Sequence, residues 1–245
     1  MQVLAPVLIR RGISRLPIGS RAAAASNIGN SLTAQLTRES IGGNISTRSS
    51  VHKVQLHAMS SSAQNELRVC DIQEKFRKVI YEFDSIVLTT QKLVKFANSL
   101  SVPVITTTQT SAKLGPTVSS LAQILPSAPH DKTKFSMVIP SVVADLPPNS
   151  EIALVGIESH ICITQTALDL RNAGHKVYVI ADGVGIALDR LRAEPGITVT
   201  SSESWMYECV GDASHSAFKG LFGVVKESMA DTKKVWQTLP PESKI

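Results

Sequence analysis

The chain is predicted to fold as an α/β protein: a three-layer α/β/α sandwich around a mostly parallel, doubly wound central sheet. Three observations predict this. Apolar or β-branched runs at 101–109, 152–157, 177–181 and 197–201 are separated by segments of helical periodicity. One complete strand–helix–strand unit, EIALVGIESHICITQTALDLRNAGHKVYVIAD (151–182), has the short connections of a βαβ crossover. At 245 residues the chain is long enough to bury such a sheet in one domain, and it shows neither an internal repeat nor a second domain.

Residues 1–63 read as a disordered or transit segment. The opening, MQVLAPVLIRRGISRLPIGSRAAAA, places Arg10, Arg11, Arg15 and Arg21 among apolar residues, and a Ser-, Thr-, Asn- and Gly-rich stretch follows. Arg-rich, Ser-rich and acid-poor composition marks an organelle transit peptide, whereas Arg10 and Arg11 break the apolar core of a secretory signal. The expected location is mitochondrial or cytoplasmic. A plain disordered tail, or translation starting at Met59, fits the same composition.

The globular domain is expected over 64–230, with 231–245 as a C-terminal tail. A thin first strand ends at Asp71. Apolar positions Val79, Ile80, Phe83, Ile86, Val87, Leu93 and Phe96 predict one or two helices over 76–98. The run 101–109 is a strand with proline near its entrance, and 110–117 is a loop broken by Gly115-Pro116. A short helix follows at 118–125. Residues 131–140 fit a strand or an extended loop. The central unit then gives a buried strand (152–157), a turn (158–160), a helix (161–173) closed by Gly174, and a second buried strand (177–181). A helix at 186–192, a strand at 197–201, and helices at 203–210 and 216–226 complete the domain.

Composition narrows the function. With 43% hydrophobic and 18% charged residues the chain is ordinarily globular, and no apolar run is long enough to span a membrane. Three widely spaced cysteines, Cys70, Cys162 and Cys209, do not form a disulfide framework and suit a reducing compartment. The net charge of +5 belongs to residues 1–65, which carry +6, so the remainder is near neutral at −1. No basic stripe interleaved with aromatics occurs, and aromatics are only 4% of the chain, which argues against a nucleic-acid partner.

Three residues carry candidate chemistry. Cys162 sits where the strand 152–157 turns into a helix, and a helix N-terminus favours a thiolate. Asp71 ends the first strand, so with parallel neighbours it emerges at the same sheet edge as Cys162. A carboxylate beside a thiol takes its proton, and a lysine beside both, Lys132, stabilises the thiolate and the ionised acid. Singly, each also fits a structural role: Asp71 as a helix cap, Lys132 as a solvated charge, Cys162 as an apolar core residue.

Five motifs in order, DIQEKFR (71–77), TTQTSAKLGPTV (107–118), DKTKFSM (131–137), GIESHICITQTALDL (156–170) and TSSES (200–204) with GDASHSAFK (211–219), resemble the isochorismatase-like cysteine hydrolases. The nearest branch is that of the eukaryotic isochorismatase domain-containing proteins. The resemblance covers about Val69 to Lys226. It implies an Asp71–Lys132–Cys162 triad, with Lys132 rather than Lys113 because the family's lysine precedes the Phe-Ser pair. It also implies a cis Ile157–Glu158 bond, an oxyanion hole from the N–H groups of Glu158 and Cys162, and a substrate pocket bordered by Gln73, Phe76 and Phe135.

The activity implied is hydrolysis of a small amide-like molecule through a thioester, in a homo-oligomer without cofactor. The alternative is a catalytically idle protein that oligomerises through the fold. The metal-binding members carry an Asp-x-His motif, but no histidine occurs between Asp71 and Pro129, so no metal is expected. Cys162 argues against isochorismate as substrate, because true isochorismatases lack that cysteine. His160 is expected at a pocket edge or in a structural role. Two departures stand out: a truncated first strand, read as a damaged sheet edge, and a connection after Asp182 roughly nine residues shorter than the family's, a change surface loops tolerate.

Overall fold

Six parallel strands build one sheet: β1 (Asn65–Cys70), β2 (Val104–Gln109), β3 (His130–Lys132), β4 (Glu151–Gly156), β5 (Lys176–Val184) and β6 (Ile197–Thr200). The spatial order is β3-β2-β1-β4-β5-β6. The chain winds outward from β1 to β3, then crosses back to β4 and winds the other way, so the order reverses between β1 and β4. That reversal opens a crevice at the carboxyl ends of these two strands. The computed structural model describes residues 64–185 and 188–239. The transit-like segment 1–63, and the start of the helix expected at 186–192, lie outside them.

Helices cover both faces. On one side α1 (Phe83–Leu100) lies over Leu67, Val69, Ala153, Val155 and Ile180, because Phe83, Ile86, Val87, Leu93, Val94 and Ala97 recur at three- and four-residue spacing. Trp205 of α7 (Ser202–Val210) packs edge-on to Phe96 with ring centroids 5.8 Å apart. On the other side α5 (Thr164–Asn172) buries Ala167 and Leu170 against Ile152, Leu154, Val177 and Val179. Gly174 closes α5 as expected: its φ is 90°, and the His175 and Gly174 N–H groups donate to Leu170 O and Arg171 O in a Schellman turn.

The short helices α2 (Ser111–Leu114), α3 (Ser119–Ala122), α4 (Pro140–Val143) and α6 (Asp189–Arg192) lie in connections. Asp182 lies inside β5 rather than closing it. Its carboxylate accepts from the Ser202 N–H at 2.7 Å and from the Ser202 hydroxyl, fixing the start of α7.

Several expectations need correction. Residues 231–239 are not a tail: after α8 (Phe218–Glu227), α9 (Met229–Thr238) packs on α1, burying Val235 and accepting a bond from Lys92 Nζ to Thr232 Oγ1. Val79 belongs to no core face, being 72% exposed. Most consequentially, β1 is neither an edge nor truncated. It pairs with β4 over its whole length and with β2 over Leu67–Cys70.

The polar residues that made β1 look thin satisfy one another: Arg68 Nε donates to Glu66 Oε1 at 2.6 Å, with both residues buried. Burial pushes the Glu66 carboxyl above its ordinary range, and Arg68 beside it pulls part of the way back. The two Arg68 Nη atoms have no hydrogen-bond partner among the described residues. Such a pair contributes little over an apolar pair but is costly to break. Arg68→Leu alone is therefore expected to cost about 3–5 kcal/mol, whereas Glu66→Leu/Arg68→Leu together should hold or raise the Tm. A double variant less stable than the single one would contradict this account.

Candidate active site

The crevice between β1 and β4 is where the three candidate residues meet. Asp71 leaves β1 in the left-handed region, φ 52°, a conformation aspartate tolerates better than most residues. Only 1% exposed, it accepts from the Thr107 hydroxyl at 2.8 Å through Oδ1 and from Lys132 Nζ at 2.6 Å through Oδ2. Lys132 closes the short edge strand β3 and reaches across β2. Its three ammonium protons have three acceptors: Asp71 Oδ2, Gln109 Oε1 at 2.7 Å and Phe135 O at 2.9 Å. That full set is what allows a lysine side chain to be wholly buried as a cation.

Cys162 sits in a widened turn of i to i+5 type, Ser159–Ile163, that opens into α5. Such turns are frequent at functional sites because they re-aim a side chain within a helix. The expected cis bond is present at Ile157–Glu158, immediately before the turn. Thr166 ties this elbow to the lysine segment: its hydroxyl donates to Cys162 O at 2.6 Å and accepts from the Met137 N–H at 2.9 Å.

A cavity of about 200 Å³ opens onto Cys162. Its walls carry Asp71, Phe76, Gln109, Leu114, Phe135, Ile157, Glu158 and Ile161. Phe76 and Phe135 therefore border it, but Gln73 does not. Gln73 is wholly buried and pins the end of β2 to the following loop, accepting from the Gln109 N–H at 2.8 Å and donating to Gly115 O at 2.6 Å. A side chain spent on three backbone groups in the interior, the third being Gln109 O at 3.3 Å, has no face left for a ligand.

His160 lies outside this cavity. It lines a neighbouring one of about 210 Å³ with Val79, Tyr81 and Gly185, which shares the wall residues Ile157 and Glu158.

One residue of the cluster escaped the sequence reading. Cys70 is wholly buried, and its thiol lies 3.4 Å from Asp71 Oδ2. The sulfurs of Cys70 and Cys162 and a carboxylate oxygen of Asp71 all lie within 4.8 Å of one another. The signal was its position directly before Asp71, which the alternation of a strand interior masks. These three are also the group among the described residues that could hold a metal ion. The Lys132 ammonium already on Asp71 opposes a second cation there, so the donor set fits a metal poorly.

The Cys70 S–H hydrogen bond to Cys162 lowers the Cys162 pKa below the usual thiol range, with Lys132 adding to the effect against burial and Asp71. Burial holds the Cys70 thiol well above that range, and burial likewise pushes Cys209 up. Because the thiolate is the nucleophile, alkylation rate rises with pH as the proton leaves, so a lowered pKa moves that rise to lower pH. Iodoacetamide labelling followed by peptide mass spectrometry is expected to modify Cys162 at a pH where Cys70 and Cys209 stay unlabelled. Cys70→Ala should move the Cys162 rise upward. A Cys162 rise near about 8.5, the free-thiol value, would overturn this assignment.

Fold and site together define a doubly wound α/β protein with an acid, a lysine and a thiol at its switch point. The chain belongs to the isochorismatase-domain family: the model described as "Isochorismatase domain" matches residues 67–192. It is 42% identical over 178 residues to the isochorismatase domain-containing protein 2 of Bos taurus, covering 68% of this chain and 85% of that protein. The secreted isochorismatase effector Isc1 of Phytophthora sojae is 37% identical over 179 residues, covering 66% and 85%. Among solved structures, the MAR1 ribonuclease of Caenorhabditis elegans matches with a TM-score of 0.62 and 36% identity over 67% of this chain and 90% of that one. The family's fold is of hydrolase type. No helix among the described residues is long and apolar enough to cross a membrane.

Proposed function

We propose that this chain is a metal-independent cysteine hydrolase acting on a C–N bond of a small amide or related molecule. The observation that carries the reading is the fully buried Lys132–Asp71 pair, with Asp71 on the same cavity wall as Cys162. In the proposed sequence Asp71 takes the thiol proton and Cys162 attacks the electrophilic carbon. The N–H groups of Glu158 and Cys162 hold the developing oxyanion. Asp71 returns the proton to the leaving amine, and water, activated by the same carboxylate, hydrolyses the thioester. Lys132 holds Asp71 in place and offsets its charge beside the thiolate.

Size and wall chemistry support a small substrate. The cavity is at the low end for ligand sites, and its walls pair apolar side chains with two carboxylates, Asp71 and Glu158, and no lysine or arginine. An RNA strand, the substrate class implied by structural relatives described as MAR1 ribonucleases, requires cationic groups along its phosphates. The idle-protein alternative had two supports. The first, a damaged edge strand, is removed by the central place of β1; the short connection after β5 remains.

The test is a screen of small amides, with RNA as a competing arm, run on wild type and Cys162→Ala with intact-mass detection. A substrate-derived adduct on Cys162 that turns over in wild type and is absent from the variant is the expected result. Turnover unchanged in Cys162→Ala, or RNA cleavage alone, would overturn the proposal. A homo-oligomer belongs to the same reading: Phe222 and Met229, 55% and 63% exposed on α8 and α9, are apolar surface that a second copy would cover. Light scattering at a monomer mass would contradict it.

A further inference from the structure

The mechanism above leaves one reactive group at the site without a task, the thiol of Cys70. It lies behind the nucleophile rather than in the cavity: Cys162 is on the cavity wall, whereas Cys70 is wholly buried and is not among the wall residues. Both cysteines are free. Their sulfurs lie within 4.8 Å of each other and of an Asp71 carboxylate oxygen. A solute entering the cavity therefore meets one sulfur, and that sulfur has a second one at its back.

We propose that Cys70 and Cys162 form a reversible redox pair, with Cys162 the peroxide-accessible sulfur and Cys70 the resolving thiol that traps it as an intramolecular disulfide.

The step balances as follows. The Cys162 thiolate attacks one oxygen of hydrogen peroxide; the O–O bond breaks, hydroxide leaves, and the sulfur, oxidised by two electrons, becomes a sulfenic acid. The Cys70 sulfur then attacks the Cys162 sulfur. The S–O bond breaks, the S–S bond forms, and the departing hydroxyl leaves as water with the Cys70 proton. Asp71 Oδ2, 3.4 Å from the Cys70 sulfur, is placed to relay that proton. Two electrons have passed from the thiol pair to the peroxide, and an external dithiol returns them by exchange.

The protonation states suit the order of events. The Cys70 thiol and the Lys132 ammonium near Cys162 favour its thiolate, the form peroxide oxidises, while burial holds the Cys70 thiol above its ordinary range. Forming the bond requires the two sulfurs to close to about 2.05 Å, with Cys70 fixed in the β1 ladder opposite Gly156. The disulfide withdraws the nucleophile from the cavity, and it blocks the further oxidation to sulfinic acid that destroys an exposed thiolate irreversibly.

The experiment treats the full-length chain with hydrogen peroxide and reads intact mass and non-reducing peptide maps, for wild type, Cys70→Ala, Cys162→Ala and Cys209→Ser. Wild type and Cys209→Ser are expected to lose two hydrogen atoms, to yield a peptide pair joined through Cys70 and Cys162, and to return to the starting mass with dithiothreitol. Cys70→Ala is expected to gain two oxygen atoms at Cys162 and not to recover. Cys162→Ala should leave Cys70 unmodified. Cys162 reaching the sulfinic acid at equal rates in wild type and Cys70→Ala, with no joined peptide, would overturn the proposal, as would a disulfide through Cys209 or an unoxidised Cys162. None of these readouts uses a substrate, so a failed amide screen leaves this result standing on its own.

Discussion

Lys132→Met is expected to abolish turnover and to lower the melting temperature by on the order of 10 °C. The methionine matches the lysine stem in length and leaves no void. It does remove the cation from a carboxylate that is 1% exposed and otherwise meets only uncharged side-chain groups, the Thr107 hydroxyl and the Cys70 and Cys162 thiols. Breaking a buried pair from one side costs about 3–5 kcal/mol, because the remaining charge is uncompensated.

Two acceptors lose their partner at the same time, Gln109 Oε1 and Phe135 O, so the cavity wall those residues form is released. The same substitution takes away a positive charge that favours the Cys162 thiolate, so the alkylation rise at Cys162 should move to higher pH. Asp71→Asn separates structure from chemistry. The Lys132 ammonium loses its counter-charge, but an amide still accepts from it and its bonds to Gln109 Oε1 and Phe135 O remain, so the stability loss should be smaller. Turnover on a substrate found by screening should nevertheless fall by about 10²–10⁴-fold, the usual contribution of a general base. Thermal melting and steady-state rates on the two variants decide this. Wild-type stability in Lys132→Met would contradict the pairing energetics, and wild-type turnover in Asp71→Asn would remove Asp71 from the mechanism.

Gly156→Ala is the second large effect, and it acts through the backbone. Gly156 has φ 115° and sits opposite Cys70 in the β1–β4 ladder. A Cβ built there would lie 2.1 Å from Cys70 O and 2.8 Å from Cys70 N, far inside contact distance. Neither strand can retreat cheaply, since the Ile157 N–H donates to that same Cys70 O at 3.0 Å. The strands must part at the point that carries Cys70, Asp71 and the cis bond. A loss of at least about 4 kcal/mol is expected, with poor soluble yield and no low-pH thiol reactivity.

Gly174→Ala supplies the comparison. It also has positive φ, 90°, but a Cβ there meets nothing within 4 Å, so the cost should be only about 1 kcal/mol of backbone strain. Equal losses at the two positions would mean that conformation alone, not the close approach of β1 to β4, makes Gly156 necessary.

These two variants also mark where sequence reasoning ran out. The helical periodicity of 83–97 and the buried strands of the central unit were legible because each repeats a short-range pattern, and Gly174 because a helix end needs a residue that tolerates positive φ. β1 was misjudged for a physical reason: Glu66 and Arg68 spoil its apolar pattern but compensate each other two residues apart, which no hydrophobicity count registers. Gln73 was placed in the pocket by resemblance to a motif. Its amide instead meets Gln109 and Gly115, 36 and 42 residues away, and only the folded chain supplies those partners. The C-terminal residues 231–245 read as a tail because the apolar face of α9 means little until α1 lies beside it.

By itself, the sequence determined the α/β class, the strand–turn–helix that presents Cys162, and the acid and lysine that a thiol nucleophile would use. Local periodicity and residue chemistry carry the class and the place of Cys162, and the motif resemblance selects Lys132 over Lys113. The tertiary structure decided that β1 and β4 are neighbours at the reversal of a 3-2-1-4-5-6 sheet. It also made the Lys132 cation fully satisfied, and it put the Cys70 sulfur within 4.8 Å of the Cys162 sulfur. The Lys132–Asp71 contact joins residues 61 apart in the chain at the carboxyl ends of the strands, and strand order is set by packing of whole elements rather than by any local pattern.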